Sequence, residues 1–382
     1  MPYIGNNPTD VPLTGSDLAD NIITSAKIVD GTVVQGDMDM TSAFDFTGAV
    51  TGAGASNRND IINGGLVVNQ ENETAPADDA YTIGDLFLHV GEGTPVMSLE
   101  TDGPQGTRPW QKMVLDANAQ GGLVYFLSND DVQDYIANGK MSFGVQLRTV
   151  TGALITNARI GLLKWNSTAD TITSDVVGTW ASDGTDPTLA TNWTYENTPA
   201  NLALTNAWQR FTVEDITVDS DATNLAVFIW TDDGTITASD VIGFSEWQMN
   251  PGATVNDFSS PDTASVRAKV GYYFEKYDYT STAGEAIIGG GYQYNTTLHI
   301  FSYRYPEKRI APTVTHSAGA TFKVRFQGNG EQILSSIDNN TTPTKYGTGI
   351  GAYTSAVGTA GDSIMLSRDA SDTTWIQVDA RF

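Results

Sequence analysis

Short runs in which apolar and polar residues alternate recur along most of this chain, and clusters of turn residues separate them. Met141, Phe143, Val145 and Leu147 alternate with Ser142, Gly144, Gln146 and Arg148, which gives a strand with one buried and one wet face. Similar runs predict strands at 66–68, 81–90, 94–99, 110–115, 158–165, 175–180, 209–218, 226–231 and 241–249. One segment departs from the pattern. In SNDDVQDYIANGK, residues 128–140, Ser128 can cap, Asp131 stands three residues later and Gly139 can stop a helix. Many short strands with one helical turn point to an all-β protein, an antiparallel sandwich wound in jelly-roll order.

The pattern resumes after a break. Residues 247–279 hold Asn250, Pro251, Gly252, Ser259, Ser260 and Pro261, which end one strand, and a Tyr-rich piece at 272–279 then opens a new element. Strands are expected at 292–294, 298–305 and 308–315. Phe322, Val324 and Phe326 alternate with Lys323 and Arg325, and Ile376, Val378, Ala380 and Phe382 share one face. Charge changes at the same place: nine Lys/Arg face 35 Asp/Glu in residues 1–266, and eleven face ten in residues 267–382. Two domains are therefore expected, 57–266 and a smaller 267–382.

The N-terminal region has a different period. Leu13, Leu18, Ile23, Ile28, Val33 and Met38 fall every five residues. That period suits neither a helix nor a simple strand, and it fits short extended pieces joined by turns, one apolar side chain per piece. Such an arm buries too little alone, whereas several identical chains wound about one axis would cover one another. Residues 1–56 read as an attachment and trimerisation arm, with a small-residue linker at 40–57.

Composition excludes several roles. The chain has 382 residues, no cysteine and a formal net charge of −25. Disulfides, thiolate metal sites and thiol nucleophiles are ruled out. So strong an acidic excess argues against nucleic acid and anionic membranes as partners. No apolar run approaches the roughly 20 residues of a membrane span, and MPYIGNNPTDVPL lacks the basic start and apolar core of a secretory signal.

Chemistry is sparse. His89, His299 and His316 are far apart and lie in or beside predicted strands, as stray sheet histidines do. No HExxH, GxSxG, P-loop or dinucleotide fingerprint is present. Glu196, Glu214 and Glu246 are available as carboxylates, but nothing beside them selects an acid–base pair. The expectation is a non-enzymatic protein. If a metal binds, calcium is the one that fits, with Asp219, Asp221, Asp232 and Asp233 as hard oxygen ligands in loops; ordinary acidic surface turns are the other reading.

Sugar binding needs flat apolar rings beside short polar side chains. Residues 180–197, WASDGTDPTLATNWTYEN, supply Trp180, Trp193 and Tyr195 with Asp183, Asp186 and Asn192. A second candidate set is Tyr292, Tyr294, Tyr346 and Tyr353. Each ring serves either a ligand or the core. For Trp165, Trp208, Trp230 and Trp247, beside or within predicted strands, the core is expected.

Three pieces carry a resemblance: the order Trp247, Asn250-Pro251-Gly252, an acidic aromatic loop and YYFEKY at 272–277; the stretch IINGGLVVNQ at 61–70; and IAPTV at 310–314. Together they resemble bacteriophage tail-fibre and related virion proteins with a jelly-roll, carbohydrate-binding-module-like domain. DLADNIITSAKIVDGTV is also similar to the N-terminal repeats that join such fibres to the particle. The resemblance implies a homotrimeric virion fibre or spike, on tail or head. Its arm would meet other virion proteins, and its distal β domain would touch host surface polysaccharide. The alternatives are a carbohydrate-binding or structural module of a secreted complex and, further off, a polysaccharide depolymerase.

Overall fold

A computed structural model describes residues 58–382 apart from 117–119, 151–152, 182–183, 232–235, 239, 260, 280–285, 327–329 and 370–372. The five-residue repeat, Asp183, Asp232 and Asp233 lie outside the described residues. Asn57–Phe382 forms one compact unit, and every strand pairing described within it is antiparallel.

The first part of the unit contains β1 (Ala80–Tyr81), β2 (Phe87–Gly91), β3 (Val96–Glu100), β4 (Trp110–Val114), β5 (Gly121–Leu127), α1 (Asn129–Asn138), β6 (Lys140–Arg148) and β7 (Asn157–Trp165). It continues with β8 (Val177–Thr179), β9 (Thr188–Leu189), β10 (Trp193–Tyr195), β11 (Leu202–Ala203), β12 (Gln209–Thr217), β13 (Asn224–Thr231), β14 (Val241–Pro251) and α2 (Thr263–Tyr273). One sheet has the order β1-β2-β5-β13-β7-β10, with β11 also on β7, and the other has the order β12-β6-β14-β4-β3. Their inner faces share one core, where Leu123, Tyr125, Ile160, Leu162, Val227 and Ile229 meet Met141, Phe143, Val145, Leu147, Phe244 and Trp247.

Each strand's alternation decides what its other face does. In the β1-to-β10 sheet, the opposite residues Leu88, Val124, Phe126, Leu163, Trp165, Phe228 and Trp230 are also apolar and build a second cluster. The long connection after β7 covers them with Ile172, Val176, Trp180, Leu189 and Trp193. A strand buried on both faces shows no polar alternation, which is why GGLVYFL (β5) carries no strand signal although all seven of its residues are buried.

Helix α1 is where the cap signals place it: Ser128 Oγ accepts from Asp131 N–H, and Gly139 stops the helix in a left-handed conformation at φ 77°. Two expectations are corrected. Residues 66–68 are not a strand; Asn63 satisfies that backbone with its side chain, accepting from Val67 and Val68 N–H and donating to the carbonyls of Val68 and Gly84. The turn-rich 259–262 leads into a helix, because Asp262 caps Ser265 N–H at 3.0 Å and Val266 and Val270 then face the core. The Tyr-rich piece accordingly begins as helix, and its strand starts at Phe274.

Beyond α2 a three-stranded sheet (Phe274–Asp278, Trp375–Asp379, Thr313–His316) faces a seven-stranded one, with Phe301, Phe322, Val324, Ile350, Leu366 and Ile376 in a core of their own.

Candidate functional site

With Met141, Phe143, Val145 and Leu147 turned inward, Ser142, Gly144, Gln146 and Arg148 stand on the outer face of the five-stranded sheet. The register sets their neighbours. Arg148 and Lys112 are the two cross-strand partners of Gly243, one on each side, and Gln146 pairs with Ser245 and with Arg210. A bulge in β14 between Ser245 and Gln248, with Glu246 at φ 51°, lets Phe244 and Trp247 both point inward.

Two glycines make room for flat side chains here. A Cβ on Gly243 would sit 2.9 Å from the Trp110 ring, and one on Gly144 would sit 2.6 Å from the Arg210 guanidinium. Trp110 therefore lies along the sheet, its indole N–H donating to Asp102 Oδ1 at 2.7 Å. That bond holds the Asp102 carboxyl below its usual range. The Arg148 guanidinium lies over two indoles that meet nearly at right angles, 4.2 Å from Trp110 and 4.8 Å from Trp208.

The outer loop frames the other end. Arg210 donates to the carbonyls of Glu246 (3.3 Å) and Asn256 (3.4 Å), and burial lowers its pKa. Arg108 pairs with Glu246 at 3.3 Å and lies over the Phe258 ring. The loop itself is pinned by Asn250, which donates to Thr254 O and accepts from Asn256 N–H. Among the described residues, five buried polar atoms on this face have no hydrogen-bond partner: Gln146 Oε1, Arg148 Nε, Trp208 Nε1, Gln248 Oε1 and Glu246 Oε1, the last being the atom of the Arg108 ion pair. Both donors and acceptors are left open, which is costly in a finished core and useful at a surface that takes a polar ligand.

The residues expected at 180–197 are placed otherwise. Trp193 is 4 % exposed, stacked on Phe126 and against Trp165, so its ring is enclosed rather than presented. Trp180 is half-buried against Phe228, and Tyr195 is half-buried with its hydroxyl donating to Pro187 O. Asp186 holds Arg159 at 2.6 Å, and exposed Asn192 occupies a left-handed turn at φ 72°. These side chains roof the first sheet because its outer face is too apolar to leave in water.

Asp219 and Asp221 converge, but on the Lys164 ammonium, at 2.5 and 2.7 Å. Their cation is thus supplied by the chain, and among the described residues no three acidic or histidine side chains are grouped to hold a metal. His89 and His299 are buried beside Ala77 O and Thr354, with burial lowering both pKa values.

In the C-terminal sheet, exposed Tyr292 and Tyr346 line one groove of about 410 Å³ with Gly290, Ser302 and Arg304. Tyr294 stands at a turn outside it, and Tyr353 donates to Asp338. Trp208 was expected in the core; it is half-buried and edge-on to Trp110 at 5.4 Å. Its sequence signal is local: a tryptophan two residues before one of the few arginines of an acidic region.

No protein-family model matches the chain, and no curated protein matches it. Solved structures similar to it include the C-terminal family 22 carbohydrate binding module of Clostridium thermocellum Xyn10B, at 16% identity over 44% of this chain and 88% of that one, TM-score 0.30. A xylan-binding domain from Paenibacillus barcinonensis Xyn10C is 12% identical over 43% of this chain and 87% of that one, TM-score 0.29. A family 11 carbohydrate-binding module from Clostridium thermocellum, solved with a mixed-linked tetrasaccharide, is 10% identical over 45% of this chain and 91% of that one, TM-score 0.26.

Proposed function

We propose that this chain is a non-enzymatic glycan-binding protein and that the outer face of its five-stranded sheet is the binding surface. One asymmetry carries the reading. The other sheet of the sandwich has its outer face roofed by apolar side chains, while this face gathers an indole, a stacked guanidinium and unpartnered amide oxygens. A pyranose offers an apolar face for Trp208 and a rim of hydroxyls for Gln146 and Arg148. Trp110, 3 % exposed, is the platform beneath Arg148.

Electrophoresis of the full chain through gels containing a panel of polysaccharides tests this. At least one polymer will retard the protein, and Trp208→Ala will weaken that retardation about tenfold, or about 1.4 kcal/mol, with little change in melting temperature. Equal retardation of the variant would count against the surface.

A finer form of the reading is adhesion by a homotrimeric virion fibre, with residues 1–56 meeting other virion proteins, a jelly-roll domain at 57–266 and a distal domain at 267–382. Its support is the five-residue repeat at 11–40 and the two distal tyrosines that share a groove. Three weak sites acting together would then supply avidity. A solution mass three times the chain's 40.9 kDa supports this form, and a stable monomer removes it while leaving glycan binding in place.

A further inference from the structure

Cations are scarce in the acidic part of this chain, and where they stand is informative. Among the described residues those away from the outer face are neutralised, Arg58 by Asp60 and Asp134, Arg159 by Asp186, and Lys164 by Asp219 and Asp221, and so is Lys140, by Asp215, at the start of β6. Four others, Arg108, Lys112, Arg148 and Arg210, sit together on that face. Among the described residues, Arg108 alone of these has a carboxylate within ion-pair distance.

Arg148 is the clearest case. Among the described residues its guanidinium has neither an ion pair nor a hydrogen bond, and two tryptophans hold it in place. Leaving such a group half-buried without a direct hydrogen bond or ion pair is costly, and 35 acidic residues before position 267 could have supplied one. The acids nearby attract these cations from a distance while bonding to other groups: Asp102, which acts on Arg148 and Lys112, accepts from Trp110, Glu214 accepts from Val255 N–H, and Glu246 pairs with Arg108.

Resting on the glycan reading above, we infer that the glycan is acidic, and that an oxyanion on a sugar ring completes the pair of Arg148 and Lys112. The planar guanidinium presents paired N–H donors that suit a carboxylate or a sulfate ester. Lys112 and Arg148 flank Gly243 from opposite strands, so one anion between them could reach both. The chain's net charge of −25 disfavours polyanions at long range, so the selectivity must come from these local contacts.

The test uses the full chain and four soluble polymers: polygalacturonate, the same polymer after reduction of its carboxyl groups, dextran sulfate and dextran. Polygalacturonate is expected to bind, its carboxyl-reduced form about tenfold more weakly or not at all. Arg148→Gln should lose the same factor. Lys112→Gln, on a half-exposed side chain, gives a second reading should the Arg148 variant fold poorly. Binding of dextran sulfate but not polygalacturonate, sensitive to the same substitutions, would assign the oxyanion to a sulfate ester. Equal or stronger binding to a neutral polymer overturns the inference and leaves the glycan reading standing. Failure to bind any of these polymers, together with the whole polysaccharide panel, overturns both.

Discussion

Trp247→Ala is expected to lower the unfolding free energy by about 3–5 kcal/mol, the largest loss from any single core truncation in the sandwich. The ring is fully enclosed, with Phe87 of the first sheet at 4.8 Å and Phe143 and Phe244 of the second at 5.7 and 5.9 Å. It thus joins both sheets at the centre of their common core. Its backbone also holds the chain's approach to the sandwich: its N–H donates to Gly64 O, and its carbonyl accepts from Asn59 Nδ2. Truncation leaves a cavity that neighbours fixed on two sheets cannot close. The β14 bulge that brings Phe244 and Trp247 to the same side would lose its purpose, so the outer face at Glu246 should loosen as well. Chemical denaturation checks the first effect; a loss below about 1 kcal/mol would show that the ring does not hold the sheets together.

Arg381→Ala is expected to cost a similar amount, about 3–5 kcal/mol, by a different route. The guanidinium lies 3.8 Å from the rings of both Tyr81 and Phe274. It also donates to Glu71 (2.6 Å), Asp379 (2.6 Å) and the Asp85 carbonyl (2.9 Å). Glu71, Tyr81 and Asp85 belong to the sandwich, whereas Phe274 and Asp379 belong to the C-terminal sheets. One side chain therefore ties two cores, and its loss leaves two carboxylates short of a partner. The wild-type unfolding transition should broaden or split in the variant, with the C-terminal sheets released first. Lysine should not rescue it, having neither the planar fork nor the stacking surface. A single unshifted transition would contradict the role given to Arg381.

These two side chains also show what the sequence could and could not convey. The alternating strand at 140–148 and the capped helix α1 were legible because their signals are local: period two, a serine cap, a stopping glycine. Strand β5 was not, since both its faces are buried and alternation vanishes. Helix α2 was hidden because the residue that caps it, Asp262, follows Pro261 in a stretch that reads as a turn, and its buried positions Val266, Val270 and Tyr273 end in the Tyr-rich piece that reads as a strand. At the candidate site the strand pattern correctly placed Gln146 and Arg148 on a wet face. What one strand cannot reveal is that Lys112, Arg148 and Arg210, far apart in sequence, are brought onto that face by register. For the tryptophans the expectation held at Trp165, Trp230 and Trp247, which are buried, and failed at two: Trp193, expected in a loop, is enclosed in β10, and Trp208, expected in the core, is half-buried on the polar face. Burial of a ring depends on what its sheet face packs against, which is a tertiary fact.

The eight tryptophans give the glycan surface its most direct test, because each indole N–H is a separate NMR signal. Full-length protein would be titrated with short oligosaccharides prepared from whichever polymer retards it. The indole signals of Trp208, whose N–H has no partner among the described residues, and of the neighbouring Trp110 are expected to move first and furthest. Those of Trp193 and Trp230, enclosed under the roof of the other sheet, should stay in place. Shifts confined to Trp180 and Trp193, with Trp208 and Trp110 unmoved, would contradict the account and return the site to the 180–197 loop.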